Sequence, residues 1–315
     1  MRGRSVSWQM LWRSDFVCWS SKIRPSLCNN HMIRTTDIVA AVVMLVGIST
    51  PTRAQVQVPV EGTSLDVDVN GNIFVVDSRS STLTLFDREM HKVVTAGGPG
   101  WENGRFDQPA GLWARNGLDV LVADYGNHRI QRFDRTLSFV SSLSTRDADN
   151  PSDRFGYPSD VALSRLGELF LCDTENSRIV KVNAANGVET AFGGFGGGEG
   201  RLQHPLQVEI GANDWVYVLD PPHILVYDSF GNFLTTLPDG VMLHPTVLFA
   251  DSKGSMVVDG DSLFCFDIAH RPRGVFSLGE LLGGHSVNVR SFVVAGGKFY
   301  ALCSEGLFVV PDPRE

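Results

Sequence analysis

The stretch VADYGNHRIQRFD, residues 122–134, returns as LCDTENSRIVKVN at residues 171–183, and a weaker copy runs from Val75 to Asp87. The copies are spaced by roughly 40 to 50 residues, which is the period of one supersecondary unit used many times. The repeat therefore determines the architecture before any single residue is considered.

Each copy contains four short apolar runs separated by turn residues, which is the pattern of a four-stranded antiparallel sheet. In the copy quoted first, these runs are residues 111–115, 119–124, 129–134 and 139–144. Runs such as residues 73–76 and 169–172 are apolar on both faces, so they must be covered on both sides. Six such units follow one another. The sequence therefore predicts an all-β fold, a six-bladed β-propeller whose four-stranded blades stack around an axis.

The sixth unit has three apolar runs, at residues 291–295, 298–303 and 306–310, and lacks an outer strand. Residues 56–60 form a spare strand that belongs to no unit. We expect this N-terminal strand of the mature chain to complete the last blade and close the ring. Pro59 suits that place because proline is tolerated on an edge strand.

The repeated motif resembles a known family. DYGNHRI at residues 124–130, preceded by FDQP at residues 106–109, is similar to the NHL repeat, and DTENSRI at residues 173–179 matches nearly as well. The first unit has serines at positions 80 and 81 in place of Asn-His, and the fourth, DPPHI at residues 220–224, lacks the arginine. The resemblance implies a six-bladed β-propeller over residues 55–315.

The first 54 residues are predicted to lie outside the propeller. Residues 38–48 form an apolar run that is too short to span a bilayer, and Thr52 and Ala54 are the small residues of a signal-peptidase site. We expect residues 32–54 to be a signal peptide cleaved near Ala54-Gln55, with residues 1–31 a mis-assigned start or an unstructured leader. The mature protein would be extracytoplasmic, periplasmic or secreted, with no stable membrane span. The alternative is an N-terminal membrane anchor, because Asp37 weakens the basic flank.

The charge of the chain argues against nucleic acid as a partner. The formal net charge is −8, and residues 55–315 alone hold 20 basic and 33 acidic residues, a net charge of −13. Such a surface repels phosphate backbones. The three cysteines of this region, Cys172, Cys265 and Cys303, lie in apolar strand-like runs and are predicted to be small buried hydrophobes.

An aspartate ends the second strand of most units, just before a tight turn. A metal or acid–base role is one interpretation, but a residue repeated in every blade is spread around the ring. A carboxylate at that place accepts backbone N–H bonds and organises the turn. We therefore predict a structural role for Asp77, Asp124, Asp173, Asp220 and Asp259, with Arg129 and Arg178 returning to their carboxylates.

The loops between units are the candidate binding surface, because loops vary on a rigid scaffold. Residues 97–106 and 193–202 are glycine-rich, but no Gly-Lys-Ser/Thr ending follows, so blade connectors are favoured over a phosphate site. Arginines and aromatic residues on these loops should gather at one rim. The candidate binding residues are Trp101, Arg105, Phe155, Tyr157, Arg201, His204 and His244.

His204 and His244 each precede a blade-opening proline and could share a divalent metal near the axis. Peptide-amidating lyases, to which the resemblance extends, place a zinc near the axis, and their histidine follows that proline. Here the residues after the prolines are Ala110, Ser159, Leu206 and Thr246. We therefore predict no cofactor, and a divalent metal remains the alternative.

Two functions follow from these observations. The favoured one is a monomeric, non-enzymatic scaffold that binds a protein, a peptide or a saccharide at one rim. The alternative is a metal-dependent hydrolase or lyase acting at the central channel, similar to the amidating lyases or propeller lactonases. A structural component of an envelope assembly is a third interpretation, which the sequence does not separate from the first.

Overall fold

The computed structural model describes residues 56–196, 198–237, 242–284 and 288–315. The predicted leader and signal peptide lie outside the described residues. Within them the chain is almost entirely β-structure, with one short helix, α1, at Leu278–Leu281 and three single-turn 3-10 helices. No helix in this part of the chain is long and apolar enough to cross a membrane.

The chain begins its described part with a single strand, β1 (Val56–Val58). The strands after it follow one another in groups, one group for each blade. Blade 1 contains β2 (Ser64–Val67), β3 (Ile73–Asp77), β4 (Thr82–Phe86) and β5 (Lys92–Gly97). Blade 2 contains β6 (Pro109–Trp113), β7 (Asp119–Asp124), β8 (Arg129–Asp134) and β9 (Phe139–Leu143). Blade 3 contains β10 (Pro158–Leu163), β11 (Leu169–Asp173), β12 (Arg178–Val182) and β13 (Val188–Phe192).

The second half of the chain repeats the arrangement. Blade 4 contains β14 (Gln207–Ile210), β15 (Val216–Asp220), β16 (His223–Tyr227) and β17 (Phe233–Thr236). Blade 5 contains β18 (Pro245–Asp251), β19 (Gly254–Asp259), β20 (Ser262–Phe266) and β21 (Pro272–Ser277). Blade 6 contains β22 (Val289–Ala295), β23 (Lys298–Cys303) and β24 (Gly306–Pro311).

The described strands form six separate four-stranded sheets, and the pairing is antiparallel throughout. In blades 1 to 5 the four strands pair in chain order. In blade 6 the order is β22, β23, β24 and then β1, so the outer strand of this blade is the strand that precedes blade 1 in the sequence. The fold is the six-bladed β-propeller that the repeat predicted.

Burial follows from this stacking. Every residue of β11 and of β15 is buried, because each blade is covered on both faces by its neighbours. One apolar cluster joins Ile130 of blade 2, Phe170 of blade 3 and Val208 of blade 4, so the core is continuous across blade boundaries. Cys172, Cys265 and Cys303 are buried free thiols, as predicted.

Strand direction divides the loops between two faces of the ring. The connector face carries the described parts of the links between blades (residues 59–63, 98–108, 144–157, 193–196, 198–206, 237, 242–244, 278–284 and 288) and the turns between second and third strands. The turn face carries the turns between first and second strands and between third and fourth strands. Every residue of the predicted binding set falls on connector-face segments.

Candidate functional site

The connector face is held in place by buried ion pairs of the repeated motif. Asp124 Oδ2 accepts from Arg129 Nε at 2.7 Å and from Asn127 Nδ2 at 2.9 Å, while its Oδ1 accepts from the backbone N–H of Asp107 at 2.7 Å. Arg129 Nη2 donates to the carbonyls of Glu102 and Arg105, both at 2.9 Å. One carboxylate and one guanidinium therefore hold the middle and the C-terminal end of the preceding connector.

The next blade repeats this arrangement. Asp173 accepts from Arg178 Nε and Asn176 Nδ2, both at 2.8 Å, and from the backbone N–H of Gly156 at 3.0 Å. Arg178 Nη2 donates to the carbonyl of Arg154 at 2.8 Å. The motif thus acts between a turn and the loop that enters the same blade.

Blades 4 and 5 lack the arginine and keep only the contact to the loop. Asp220 accepts from the backbone N–H groups of Gln203 and His204, and Asp259 accepts from those of Leu243 and His244. In blade 1 the carboxylate of Asp77 accepts from residues of its own turn. These contacts place the repeated aspartates in the scaffold that carries the connectors.

Five large apolar side chains stand exposed on four consecutive connectors. Trp101 is 76% exposed, Phe195 is 89% exposed and Leu243 is 70% exposed. Tyr157 and Leu206 are 39% and 44% exposed. Because their loops are tied to the blades, these side chains are presented on a fixed backbone. We call these five residues the apolar rim.

Tyr157 is the centre of a polar and aromatic cluster between blades 2 and 3. Its ring packs against His128, with ring centroids 4.1 Å apart, and against Tyr125 at 5.2 Å. Arg146 Nη2 lies 2.9 Å from His128 Nδ1, and its Nη1 pairs with Glu175 at 2.9 Å. Burial, together with the positive charge of Arg146, lowers the pKa of His128. Both effects disfavour the protonated form of this imidazole.

The predicted binding residues differ in their contacts and in their burial. Arg105 Nη1 donates to the carbonyl of Gly97 at 2.7 Å, and the Arg201 guanidinium lies over the Phe195 ring, 4.8 Å from its centroid. Phe155 corrects the prediction, because it is fully buried. It stands three residues before a blade-opening proline, as Phe106 and Leu202 do, and all three fill the core below a connector.

His204 and His244 are both exposed residues held by their backbone N–H groups. Within the described ranges, no three His, Cys, Asp or Glu side chains come together as a metal-binding group. A groove of about 520 Å³ lies nearby, between blades 3 and 4, lined by Phe192, Phe195 and Tyr227 among others. It adds a depression with a mixed polar and apolar lining beside the apolar rim.

The turn face differs in chemistry. Its exposed apolar residues include Val69, Leu118 and Leu166, which are single aliphatic side chains at turns. A groove of about 500 Å³ between blades 2 and 3 is lined by Arg132 and Arg165, but each guanidinium is already paired with a carboxylate, Asp119 or Asp214. The aromatic side chains that favour protein contacts lie on the connector face, apart from Phe230.

The central channel is closed by an arginine that no sequence pattern identified. Arg115, two residues after the inner strand β6 of blade 2, reaches Glu209 of blade 4 with both terminal nitrogens at 2.8 Å and Asp66 of blade 1 with Nε at 3.2 Å. It also lies over the Phe249 ring of blade 5, 4.9 Å from the centroid. Four blades therefore meet at one guanidinium. The cavity that remains beside Asp160 has about 10 Å³ of free space.

Side chains of the inner strands also accept hydrogen bonds from the backbone of the neighbouring blade. Asp160 Oδ2 accepts from the backbone N–H of Val208 at 3.0 Å, and Gln207 Oε1 accepts from that of Leu248 at 2.9 Å. Asp66 Oδ2 accepts from the backbone N–H of Ala114 at 2.8 Å. Each bond satisfies a backbone donor that the innermost strand would otherwise leave unpaired. The channel residues therefore act as structural connections between neighbouring blades.

Two acids beside Arg115, Glu209 and Asp160, are buried, and their pKa values are raised. Burial raises the pKa of Glu209 to about 7, although Arg115 opposes the shift. Burial and then the charge of Glu209 hold the pKa of Asp160 well above its usual range. Because these folded-state pKa values are raised, the folded protein keeps protons that the unfolded chain releases. The contribution of these two acids to stability should therefore be largest below the usual carboxyl range and fall as the pH rises through about 7.

We expect Glu209→Gln to remove part of this pH dependence. The amide stays neutral, so the variant should gain stability relative to the parent by about 1 to 3 kcal/mol as the pH rises from about 5 to about 8. The measurement is the denaturant midpoint at each pH, with Asp119→Asn, which alters an ion pair on the turn face, as the control. A stability difference that does not change with pH would show that Glu209 is ionised throughout.

Comparisons with known proteins agree with this architecture. Residues 106–133 and 155–182 match the family model of the NHL repeat, which confirms the resemblance read from the motif. The Drosophila melanogaster protein "Protein brain tumor" is 27% identical over 109 residues, which are 33% of this chain and 10% of that protein. The match thus spans about a tenth of that relative's length.

Solved structures share the fold at low identity. A gluconolactonase from Xanthomonas campestris is 11% identical, with a TM-score of 0.59, over 83% of this chain and 90% of that one. A catalytically inactive virginiamycin B lyase from Staphylococcus aureus with quinupristin is 12% identical, with a TM-score of 0.56, over 80% and 81% of the two chains. At this level the likeness shows the fold alone.

Proposed function

Because this chain is an NHL-repeat six-bladed β-propeller, we propose that it is a binding module that holds a partner polypeptide on its connector face. The observation that carries the proposal is the apolar rim, whose side chains are exposed on loops bonded to the repeated aspartates, with a buried ion pair in blades 2 and 3. Exposed aromatic residues on a preorganised backbone are typical anchors of protein interfaces. Preorganisation also reduces the entropy lost on binding.

The central channel supports this choice over an enzyme at the axis. Ligand pockets usually offer about 300 to 1,000 Å³, whereas the cavity beside Asp160 offers about 10 Å³. The charged groups there are used in contacts between blades, as Arg115 and Glu209 are. The apolar rim, in contrast, presents side chains to solvent, and those of Trp101 and Phe195 are more than three-quarters exposed.

The test starts from short peptides selected from a displayed random library on the purified protein. We expect the selected peptides to lose about 30-fold or more in affinity for Trp101→Ser/Phe195→Ser, because truncated aromatic anchors cost about 2 kcal/mol or more. The measurement is fluorescence anisotropy of a labelled peptide. Both side chains are more than three-quarters exposed, so the stability of the variant should match that of the parent.

The matched control is Leu118→Ser/Leu166→Ser, which truncates two exposed side chains on the turn face. Its affinity for the same peptides should equal that of the parent. If the control loses as much affinity as the connector-face variant, or if neither loses any, the connector face is not the binding surface.

A further inference from the structure

We propose that the partner segment is basic, with lysine or arginine residues set beside aliphatic or aromatic ones. This inference rests on the proposed function and specifies the chemistry of the partner at the same surface. It is carried by the charges that stand between the side chains of the apolar rim, on the connectors of residues 98–108, 144–157 and 193–206.

Five exposed carboxylates on these connectors have no partner within the described part of the chain. They make no hydrogen bond and no ion pair there through their side chains, and no structural role accounts for them. They are Glu102, Asp107, Asp147, Asp149 and Glu199. A sixth, Asp153, accepts a hydrogen bond from Asn150.

The arginines of the same connectors are engaged within the protein. Arg105 donates to the carbonyl of Gly97, and Arg154 Nε donates to the carbonyl of Ala148 at 2.8 Å. Arg146 is paired with Glu175, and Arg201 covers the ring of Phe195. The three connectors together hold six acidic and four basic residues, a net charge of −2, and this adds to the negative charge of residues 55–315 as a whole.

The acids and the apolar rim alternate along the loops. Glu102 follows Trp101 directly, and Glu199 lies on the same loop as Phe195. A lysine or arginine next to an apolar residue could therefore satisfy a carboxylate while its neighbour packs on a ring. The indole of Trp101 can also receive a cation on its face. An acidic segment or a phosphate backbone would instead meet uncompensated like charge.

The first experiment reads the composition of peptides selected on the parent protein. We expect a net positive charge in the selected peptides relative to the starting library, and affinity that falls as the NaCl concentration rises from about 50 mM to about 300 mM. Neutral or acidic selected peptides, or affinity independent of salt, would overturn the proposal. A labelled single-stranded oligonucleotide that binds more tightly than the peptides would overturn it as well.

The second experiment changes the charge alone. Glu102→Gln/Glu199→Gln should weaken binding of a selected basic peptide about three- to tenfold at low salt, and the loss should shrink as salt is added. Glu89→Gln/Glu315→Gln makes the same change in charge on the turn face and should leave affinity unchanged. Equal losses in both variants would point to net charge alone and would contradict a local basic site.

The experiments distinguish a failure of the proposed binding surface from a failure of the proposed basic partner. If Trp101→Ser/Phe195→Ser abolishes binding while the charge variant has no effect, the rim binds polypeptides that are not selected for basic charge. If Trp101→Ser/Phe195→Ser has no effect, the connector face itself is the wrong surface, and the inference about charge fails with it.

Discussion

Replacing Arg115 by methionine should destabilise the propeller by about 3 to 5 kcal/mol, because it leaves two buried carboxylates without their cation. Glu209 and Asp66 each lose a contact of 2.8 to 3.2 Å, and methionine fills similar space without a charge. The loss should grow between about pH 5 and about pH 8, because the stranded carboxyls must then be kept protonated at increasing cost. The measurement is chemical denaturation at both pH values.

The control for this prediction is Arg132→Met. Arg132 pairs with Asp119 at 2.7 Å, but its side chain is 47% exposed, so solvent screens the pair. Such a pair contributes about 1 kcal/mol or less. A second variant, Arg115→Met/Glu209→Gln, removes one stranded charge and should recover part of the loss. If Arg115→Met costs no more than Arg132→Met, the cross-channel pair does not stabilise the ring.

The blades could be predicted from the sequence because their signals are local. The aspartate and arginine of the motif are five residues apart, at 124 and 129, and the antiparallel register places them opposite each other. Two-sided apolar strands such as β11 fix the stacking, since they need cover on both faces. The connectors were also found as loops, because glycine, proline and polar residues mark them.

The channel could not be predicted, because the residue at the same place varies from blade to blade. The equivalent positions of the six inner strands are occupied by Ser64, Gly111, Asp160, Gln207, Val247 and Ser291, and only serine recurs, so no repeat pattern singles them out. Arg115 and Glu209 are 94 residues apart, and only closure of the ring brings them together. A charged residue inside an apolar inner strand, such as Glu209 in β14, was the one signal available.

The exposure of the rim residues was predictable only in part. Tyr157 lies directly before a blade-opening proline, as Gln108 and His204 do, and all three are exposed. Phe155 lies two residues earlier, at the position that points into the core in each connector. Aromatic character alone therefore does not distinguish surface from core, whereas the distance from the proline does.

Replacing Asp124 by alanine should cost about 3 to 5 kcal/mol of stability, the second large effect that we expect. The carboxylate is fully buried and accepts from Arg129, Asn127 and Gln131 side chains as well as from the backbone of Asp107. Its removal leaves the buried guanidinium of Arg129 without a counter-charge. Thermal and denaturant unfolding measure the loss.

Asp77→Ala tests the physical reason for that loss. Asp77 occupies the same place in blade 1, but its hydrogen bonds come from Arg79 and Ser80 of its own turn, and it holds no buried arginine. Its replacement should therefore cost only about 1 kcal/mol. Equal costs at the two positions would mean that the turn, and not the ion pair, determines the stability of the motif.

The double variant Asp124→Ala/Arg129→Met separates stability from binding. It removes both charges of the pair, so part of the stability lost in Asp124→Ala should return. Peptide binding should stay weak in the double variant, because it lacks the bonds from Arg129 Nη2 to the carbonyl of Glu102, next to Trp101, and to that of Arg105. We expect the double variant to bind a selected basic peptide about threefold or more weakly than the parent, because a loosened loop loses more entropy on binding. Unchanged peptide affinity in this variant would mean that the connector holds its shape without the arginine.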